Sequence, residues 1–343
     1  MYLTDFTPAT SGLTYSGWAQ TLNPSGGQGN PLRLTNGLAS DAGLVTASPS
    51  AHPSDFLAVG QAYTTSSIAL PPDFSFSTYF AFHVLNNVGV ADDATIGPIG
   101  PGADGLVFVI QAQGNQPWAT SGDYSLAFQG MPTSIAVEFD TYYNSGVDPN
   151  GDGNHIGLDQ TASISSVATY SPPELINDGF PNYVWIDYNG TIPLFEVRYS
   201  RNNTRPATAV LSSTTFTLAN LGASNYAHLY AGFGSAVGGA GGTHEILEWR
   251  FRSGYSPIIV ACPSGMFLNG TACATVPPGY FNSVSSSYCI SSCTAGTFST
   301  GGAANCTSCP ANTFSTGTSV SCQSESFSFD IGKTTPDYLI IIF

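Results

Sequence analysis

The ligand-bearing residues of this chain concentrate between Val137 and Asp159, where the sequence reads VEFDTYYNSGVDPNGDGNHIGLD. Side chains of a β-strand alternate between its two faces, so Glu138, Asp140 and Tyr142 would project from one side of a strand. Two adjacent carboxylates repel each other, and a bound cation removes that repulsion. The stretch therefore predicts a cation site at the end of a strand.

The donors in this stretch suit two kinds of metal ion. Carboxylates, an Asn amide and a main-chain carbonyl are the hard oxygen ligands that calcium prefers. Carboxylates combined with an imidazole, here that of His155, suit a divalent transition metal. One loop with both donor sets predicts two kinds of metal site side by side.

Two other interpretations of the same residues are weaker. The run from Asp148 to Asp159 imitates an EF-hand loop, but no flanking helices are predicted and the last position is Asp rather than a bidentate Glu. Asp152 alone remains a candidate calcium ligand. A laminarinase-type glycosidase needs a third carboxylate where this chain has Tyr143, and without it the acid/base partner for hydrolysis is missing. We therefore expect a protein that is not an enzyme.

The elements that would position these residues are strands. From about residue 10 to residue 255 apolar residues alternate with polar ones, most clearly from Phe74 to Val84, which predicts a strand with one buried face. Clusters of Gly, Pro, Asn and Asp, the residues that favour turns, bound each such run. Residues 1–255 are therefore predicted to form an all-β, antiparallel sandwich.

Charge excludes some partners. Of 343 residues only 8% are charged, and seven Lys and Arg stand against 22 Asp and Glu, a formal net charge of −15. Nucleic acid and anionic membranes require a basic surface, which this composition does not provide. The final apolar run, Tyr338 to Phe343, is far shorter than the roughly 20 residues that span a bilayer. We expect neither nucleic-acid binding nor a membrane span.

The cysteines define a second region, residues 256–323. Two units repeat, each with 12 residues between its first and last cysteine and each containing the sequence TFSTG. Cys306-x-x-Cys309 also has zinc-ligand spacing, but the repeat has no His, so disulfides are favoured and their connectivity is left open. Residues 324–343 are predicted to be a disordered tail. The expected disulfide cysteines, an odd number, are Cys262, Cys273, Cys289, Cys293, Cys306, Cys309 and Cys322.

A cysteine-dense region belongs in an oxidising compartment, so we expect an extracellular or cell-surface protein. No signal peptide is visible from Met1 to Phe6, which contains neither a basic segment nor an apolar one. Glycosylation sequons agree with the extracellular location, and they lie at Asn189, Asn202, Asn269 and Asn305.

Nearly all of residues 1–255 resembles the legume, or L-type, lectins, in six landmarks that follow the family's order. These are Leu32 to Gly37, Phe74 to Thr78, Ala103 to Phe108, Glu138 to Asp159, Val184 to Tyr188, and Ala231 to Phe233 with Thr243 to Trp249. The resemblance implies a jelly-roll sandwich that binds carbohydrate. The cysteine-rich region is similar to ephrin-receptor-like and tumour-necrosis-receptor-like repeats.

The resemblance also implies a ligand set. Asp140 and Asp148 would bridge Ca²⁺ and Mn²⁺ or another divalent transition metal. Glu138 and His155 would complete the transition-metal site, and the Tyr142 carbonyl with Asn144 would complete the calcium site. Because the spacing near Gly151 fits the family loosely, Asp152 is a substitute or additional ligand for Asp148. The family's hydroxyl near the transition metal would be that of Ser165 or Ser166.

The implied sugar site lies beside the metals. Asp104, after a cis Ala103–Asp104 bond, would accept bonds from two hydroxyls, and Asn144 would donate one. Tyr142 would stack on the ring, and Gly122 would offer a main-chain donor. The specificity loop would run from Ser235 to Thr243. We thus expect calcium-dependent binding of glycans or glycoproteins, with several copies supplying avidity; the alternative is a structural or adhesive surface protein that has lost sugar binding.

Overall fold

A computed structural model describes residues 1–21, 30–36, 58–89, 94, 100–116, 123–148, 151–160, 163–221, 228–238, 240–269, 272–282 and 290–324. Gly122, Cys289 and residues 325–343, for which predictions were made above, lie outside the described residues. The chain forms two compact units, Met1–Ile258 and Ile259–Phe343, whereas the composition of the sequence changes after residue 255. In the described part of the chain no helix is long and apolar enough to cross a membrane.

The first unit consists almost wholly of strands. In chain order its elements are β1 (Tyr2–Leu3), α1 (Pro8–Ser11), β2 (Leu13–Gly17), β3 (Gln20–Thr21), β4 (Leu32–Thr35), β5 (Ala58–Thr64), β6 (Phe76–Gly89), β7 (Gly105–Gln111), β8 (Ser134–Asp140), β9 (His155–Gln160), β10 (Thr169–Tyr170), β11 (Asn182–Asn189), β12 (Leu194–Ser200), β13 (Leu211–Ser213), β14 (Tyr230–Val237) and β15 (Ala240–Ser253), with 3₁₀ turns at Asp123–Ser125 and Leu218–Leu221. The predicted all-β class is confirmed.

Two antiparallel sheets form a sandwich. The first has the order β13-β12-β11-β6-β15-β4-β3, with β1 also paired to β15. The second has the order β10-β9-β8-β7-β14-β5-β2. Some neighbours in this order are distant in sequence, such as β6 beside β15 and β7 beside β14, so each sheet also depends on pairings that local sequence patterns do not specify.

Aromatic rings fill the space between the sheets. Phe80 of the first sheet lies 5.0 Å from Phe233 and 5.7 Å from Phe139 of the second, ring centroid to ring centroid, and Trp249 lies 4.9 Å from Phe233. All four side chains are almost completely buried. Burial of each such ring contributes roughly 1.5–3 kcal/mol to folding, and the edge-to-face contacts add to this.

Strand β6 differs from its prediction because both of its faces are buried. Phe76, Phe80 and Phe82 face the inter-sheet core, but Ser77 and Tyr79 on the other face are also nearly inaccessible. The Tyr79 ring lies 5.2 Å from that of Trp185 on β11, which is likewise buried. Alternation in sequence shows that one face is apolar; it does not show that neighbouring side chains also cover the other face.

The second unit is a series of short hairpins stapled by disulfides. Its strands are β16 (Met266–Asn269), β17 (Ala272–Thr275), β18 (Tyr280–Phe281), β19 (Ser291–Ser292), β20 (Thr297–Phe298), β21 (Thr307–Ser308), β22 (Thr313–Phe314) and β23 (Gln323–Ser324). The disulfides are Cys262–Cys273, Cys293–Cys306 and Cys309–Cys322. Disulfides are therefore confirmed over zinc for the Cys306-x-x-Cys309 pair.

The described residues of the second unit contain four copies of the repeat, where the cysteine spacing indicated two. Each copy opens with a turn in which the fourth residue's N–H donates to the first residue's carbonyl at 3.0–3.2 Å. The third residue of every turn has a positive φ, which glycine adopts readily and asparagine tolerates. These third residues are Gly265, Gly279, Gly296 and Asn312.

Successive copies are joined by a pair of hydrogen bonds, which we call the clasp. Ser299 Oγ donates to the Tyr280 carbonyl at 2.7 Å, and the Ser299 carbonyl accepts from Gly279 N–H at 2.8 Å. Asn282 and Ser315 make the equivalent bonds one copy earlier and one copy later, and all three side chains are buried. In the last three copies the polar residue after the phenylalanine thus joins each copy to the one before it.

Candidate functional site

Three neighbouring strands of the second sheet bring the predicted ligands together. The register pairs Asp140 on β8 with Gly105 on β7 and with His155 on β9. It also pairs Glu138 with Gly157. Asp104, which precedes Gly105, therefore lies beside the carboxylate pair although it is far from it in sequence.

Glu138, Asp140 and His155 form a compact cluster of potential metal ligands. One ligand atom from each lies within 4.8 Å of the others, and all three side chains are buried. His155 Nε2 lies 3.0 Å from Glu138 Oε1. Two carboxylates and an imidazole form the donor set expected for a divalent transition metal.

The electrostatics of the cluster favour a cation. Burial, followed by the charges of Asp148 and Glu138, raises the pKa of Asp140 well above its usual range. Burial alone would lower the pKa of His155, but the hydrogen bond to Glu138 and the charge of that carboxylate outweigh it and raise this pKa. His155 thus offsets part of the negative charge of the site, and a bound cation would offset the repulsion that remains between the carboxylates.

Ser166, rather than Ser165, brings its hydroxyl to the cluster. Ser166 Oγ lies 2.5 Å from Glu138 Oε1 and 2.7 Å from Asp159 Oδ1. Burial, and next the charge of Glu138, raises the pKa of Asp159 well above its usual range. Gly157 makes room for these contacts, because a Cβ there would lie 1.9 Å from Ser166 Oγ and 2.3 Å from Glu138 Oε1.

Asp159 is a site residue that the prediction did not include. His155, Gly157 and Asp159 occupy alternate positions of β9 and so face the same side as Glu138 on the adjacent strand. That alternation is visible in the sequence. Its significance depends on the pairing of β9 with β8, which is not.

The loop after β8 arranges the predicted calcium ligands. Tyr142 N–H donates to Asp140 Oδ1 at 2.8 Å, and the Asn144 main-chain N–H donates to the Asp148 carboxylate. The Asn144 carbonyl accepts from Val147 and Asp148, which closes a tight turn. Asn144 Oδ1 is buried and has no hydrogen-bond partner among the described residues. A calcium ion is a chemically suitable partner for such an oxygen.

Asp152 lies outside the ligand cluster. Its carboxylate accepts from Asn154 N–H at 3.0 Å and from the Ser171 hydroxyl. The Asp152 carbonyl lies 3.2 Å from His155 Nδ1, so it orients the imidazole with Nε2 towards Glu138. Partners of this kind fix the tautomer and direction of a metal-binding histidine.

Asp104 adjoins the metal loop directly. The Ala103–Asp104 peptide bond is cis, as the family resemblance implies. The Asp104 carbonyl accepts from Thr141 N–H at 3.0 Å, and its own N–H donates to the Ala236 carbonyl at 3.2 Å. The charge of Asp104 contributes to the raised pKa of Asp140. Ala236, near the end of β14, belongs to the predicted specificity loop, so that loop and the metal loop flank Asp104 from two sides.

The chain is thus an antiparallel β-sandwich protein with a buried cluster of potential metal ligands at one end of its second sheet. The profile of the legume lectin domain matches residues 4–258. The chain therefore belongs to the legume lectin family.

Relatives and solved structures agree with this assignment. A lectin from Pisum sativum is 31% identical over 156 residues, which cover 44% of this chain and 55% of that lectin. The L-type lectin-domain containing receptor kinase V.9 of Arabidopsis thaliana is 31% identical over 196 residues, 52% of this chain and 27% of the kinase. Peanut lectin superposes with a TM-score of 0.53 and 21% identity over 73% of this chain and 95% of its own. The chain thus spans about half or less of these two relatives, and the structural match shows the fold.

Proposed function

We propose that this protein binds carbohydrate at Asp104 and Asn144, in a manner that depends on calcium and on a transition metal such as manganese, and that it is not an enzyme. One observation carries the proposal: the buried Glu138, Asp140 and His155 cluster adjoins Asp104, whose carbonyl accepts from Thr141 N–H at 3.0 Å. Membership of the legume lectin family supports carbohydrate binding as the general activity.

The donor set fits both metals. Glu138 and His155 would hold the transition metal, Asp140 and Asp148 would bridge the two ions, and Asn144 Oδ1 with the Tyr142 carbonyl would complete the calcium site. The unfilled Asn144 oxygen and the raised pKa of Asp140 support this assignment, whereas the carboxylate of Asp152 already has two partners. When bound, the ions supply the positive charge that holds the carboxylates and the loop in one arrangement.

The sugar contacts come from the protein itself. The Asp104 carboxylate would accept hydrogen bonds from two sugar hydroxyls. If Asn144 Oδ1 faces calcium, its amide nitrogen is left to donate to a third. Tyr142, which is half-buried, would cover an apolar face of the ring, and Gly122 would add a main-chain donor. These roles follow the family's arrangement residue by residue.

We further propose an extracellular or cell-surface location for the protein. Three disulfides in the second unit require an oxidising environment to form. Asn202, Asn269 and Asn305 are exposed and Asn189 is half-buried, so the sequons are accessible for glycosylation. Display of several copies would raise the avidity of a shallow, weak site.

A glycan array tests the proposal. The full chain is screened in calcium plus manganese and again in a chelator, and we expect binding only with metals. Asp104→Asn should abolish binding while metal still raises the melting temperature, and Asp73→Asn, which alters a surface acid bonded to Ser75 and Thr191, serves as the matched control. A folded, metal-loaded protein that binds no glycan would refute the proposal and favour a structural or adhesive role.

A further inference from the structure

The junction after the second repeat copy uses the two backbone groups that flank Phe281. On one side, the Tyr280 carbonyl accepts from Ser299 Oγ at 2.7 Å. On the other side, Asn282 N–H donates to the Ala303 carbonyl at 3.0 Å. Both partners belong to the third copy, so the second copy presents one carbonyl and one N–H to the copy that follows it.

The junction after the third copy is built in the same way around Phe298. The Thr297 carbonyl accepts from Ser315 Oγ at 2.7 Å. Ser299 N–H donates to the Ser319 carbonyl at 3.1 Å, and Phe298 forms a β-bridge with Ser319. The same pair of bonds thus recurs at both junctions.

The fourth copy has the equivalent groups, the Thr313 carbonyl and Ser315 N–H, which flank Phe314. We call the segment from Thr313 to Ser315 the open edge. Its strand, β22, pairs with β23 along one side, and no described residue outside this hairpin bonds to either group. The residues that follow in the chain, 325–343, contain no cysteine, so their sequence does not continue the repeat.

Phe314, at the centre of the open edge, is also less covered than its counterparts. It is 40% exposed, whereas Phe281 and Phe298 are half-buried. A terminal copy of a repeat array normally has a polar outer face. Backbone groups without a partner strand, together with an exposed aromatic ring, form instead a template for pairing with another strand.

The open edge is complementary to itself. In an antiparallel pair, the carbonyl before one residue accepts from the N–H after the facing residue, and the reverse bond also forms. Two chains related by a two-fold axis would therefore exchange two bonds, each from Ser315 N–H of one chain to the Thr313 carbonyl of the other. The two Phe314 residues would face each other with Cα atoms about 4.5 Å apart, a distance at which aromatic side chains of facing strands pack.

The charge distribution permits such a contact. Residues 259–324 contain no Asp, Glu, Lys or Arg, whereas all but three of the 22 acidic residues lie in residues 1–258. A surface without net charge promotes association, and a strongly acidic one opposes it. Two chains can therefore meet through their second units without the repulsion that two first units would experience.

We propose that the open edge joins two copies of this chain into a dimer through their fourth repeat copies. The contact involves few residues, so the dimer is weak and reversible. This inference goes beyond the proposed function and does not depend on sugar binding. If the proposed function holds, the dimer presents two sugar sites to one glycan-bearing surface, which raises avidity.

Sedimentation equilibrium of the full chain measures the dimer Kd, with samples between about 10 µM and about 1 mM to suit a small interface. Phe314→Glu places two carboxylates opposite each other and should raise this Kd at least about tenfold, and Phe314→Lys should do the same with two ammonium groups. An equimolar mixture of the two variants should dimerise again, because the facing charges then attract. Such a rescue requires residue 314 of one chain to face residue 314 of the other, and a variant that had merely unfolded would not show it.

Phe180→Glu is the matched control, because Phe180 is an aromatic residue of the first unit that is 69% exposed, and its replacement should leave the Kd unchanged. Peptide mass mapping checks that the Cys309–Cys322 disulfide forms in every variant. If the first units also associate, the difference between the parent and Phe314→Glu still isolates the step made by the open edge.

Three results would overturn the inference. The first is a parent chain that stays monomeric up to about 1 mM, including the case in which residues 325–343 cover the edge. The second is a dimer that Phe314→Glu leaves as tight as in the parent, because the contact then lies elsewhere. The third is a mixture of the two charged variants that does not dimerise.

Discussion

Gly157→Ala should disable the transition-metal site without removing any ligand. The added Cβ would lie 2.3 Å from Glu138 Oε1 and 2.9 Å from Glu138 Cγ, both far inside van der Waals contact. To restore ordinary contact at 3.4 Å, the carboxylate must move by about 1 Å. Metal–ligand distances tolerate deviations of only about 0.2 Å, so Glu138 would leave the position in which it faces His155.

The size of the effect follows from that displacement. Loss of a group that only orients a metal ligand typically weakens metal binding by about 10–100-fold, so displacement of the ligand Glu138 itself should weaken binding by at least that much. The overpacking costs roughly 1–3 kcal/mol of stability. Gly157 has no positive φ, so alanine introduces a steric conflict alone. Titration of Mn²⁺ into the calcium-loaded protein by calorimetry measures the affinity, and thermal melts measure the stability.

A double variant makes this reasoning stricter. The same Cβ would lie 1.9 Å from Ser166 Oγ, so Ser166→Ala in the Gly157→Ala background removes one of the two clashes. The double variant should regain part of the lost stability, a coupling that the corresponding mutant cycle isolates. If Gly157→Ala binds Mn²⁺ as tightly as the parent and melts at the same temperature, the assigned geometry of Glu138 is wrong.

Three further predictions concern charge and the repeats. Asp140→Asn removes a buried charge that its neighbours repel, so the metal-free variant should melt no lower than the parent, while calcium no longer raises its melting temperature; differential scanning fluorimetry with and without calcium decides this. Burial and neighbouring carboxylates raise the pKa of Asp140, so the metal-free protein is more stable where this group is protonated and loses that stability as pH rises through the raised pKa. The calcium-induced rise in melting temperature should therefore be larger at about pH 8 than at about pH 5. Equal rises at the two pH values would contradict this prediction. Ser299→Ala removes the clasp bond to Tyr280 and should cost about 1 kcal/mol, seen as faster amide exchange at Gly279, whereas Thr300→Ala, on an exposed neighbour, should not change exchange there.

Sequence patterns predicted the strand and the loop that carry the site, but they did not predict the contacts inside it. The strand ending in Glu138 and Asp140, and the turn-rich segment up to His155, could be placed because alternation and turn residues are local signals. Ser166 could not be distinguished from Ser165, because two adjacent serines offer the same hydroxyl. They differ only in the side of the chain that each hydroxyl faces, and the sequence does not show which side meets the cluster. The contact of Ser166 with Glu138 and Asp159 resolves that choice.

Asp152 is another residue whose contacts in the folded chain could not be predicted from the sequence. Its residue type and its place in the loop make it a candidate calcium ligand, because spacing counts oxygens without showing where they point. In the folded chain Ser171 and Asn154 occupy its carboxylate, and its carbonyl aligns His155. Ser171 lies 19 residues away, so no local pattern could have revealed this pairing.

The sequence revealed only two of the four repeat copies. Cysteine spacing identified the two copies that begin at Cys293 and Cys309. The turns at Gly265 and Gly279 have the same geometry. The first of these two copies has a closer cysteine pair, and the second has Val276 where the other copies have their first cysteine, so the repeat becomes clear from backbone conformation and the clasp bonds.

The sequence by itself determined the all-β class, the disulfide chemistry of the second unit and the residue types available for metals and sugar, because each depends on composition or on short periodic patterns. Only the tertiary structure decided which of those residues meet. The pairing of β7, β8 and β9 brings Asp104 to Asp140, and the Asn177 side chain donates a hydrogen bond to the Pro101 carbonyl, 76 residues earlier in the chain. Such contacts join residues far apart in sequence, and they are selected by the packing of the whole sandwich rather than by the preferences of any one segment.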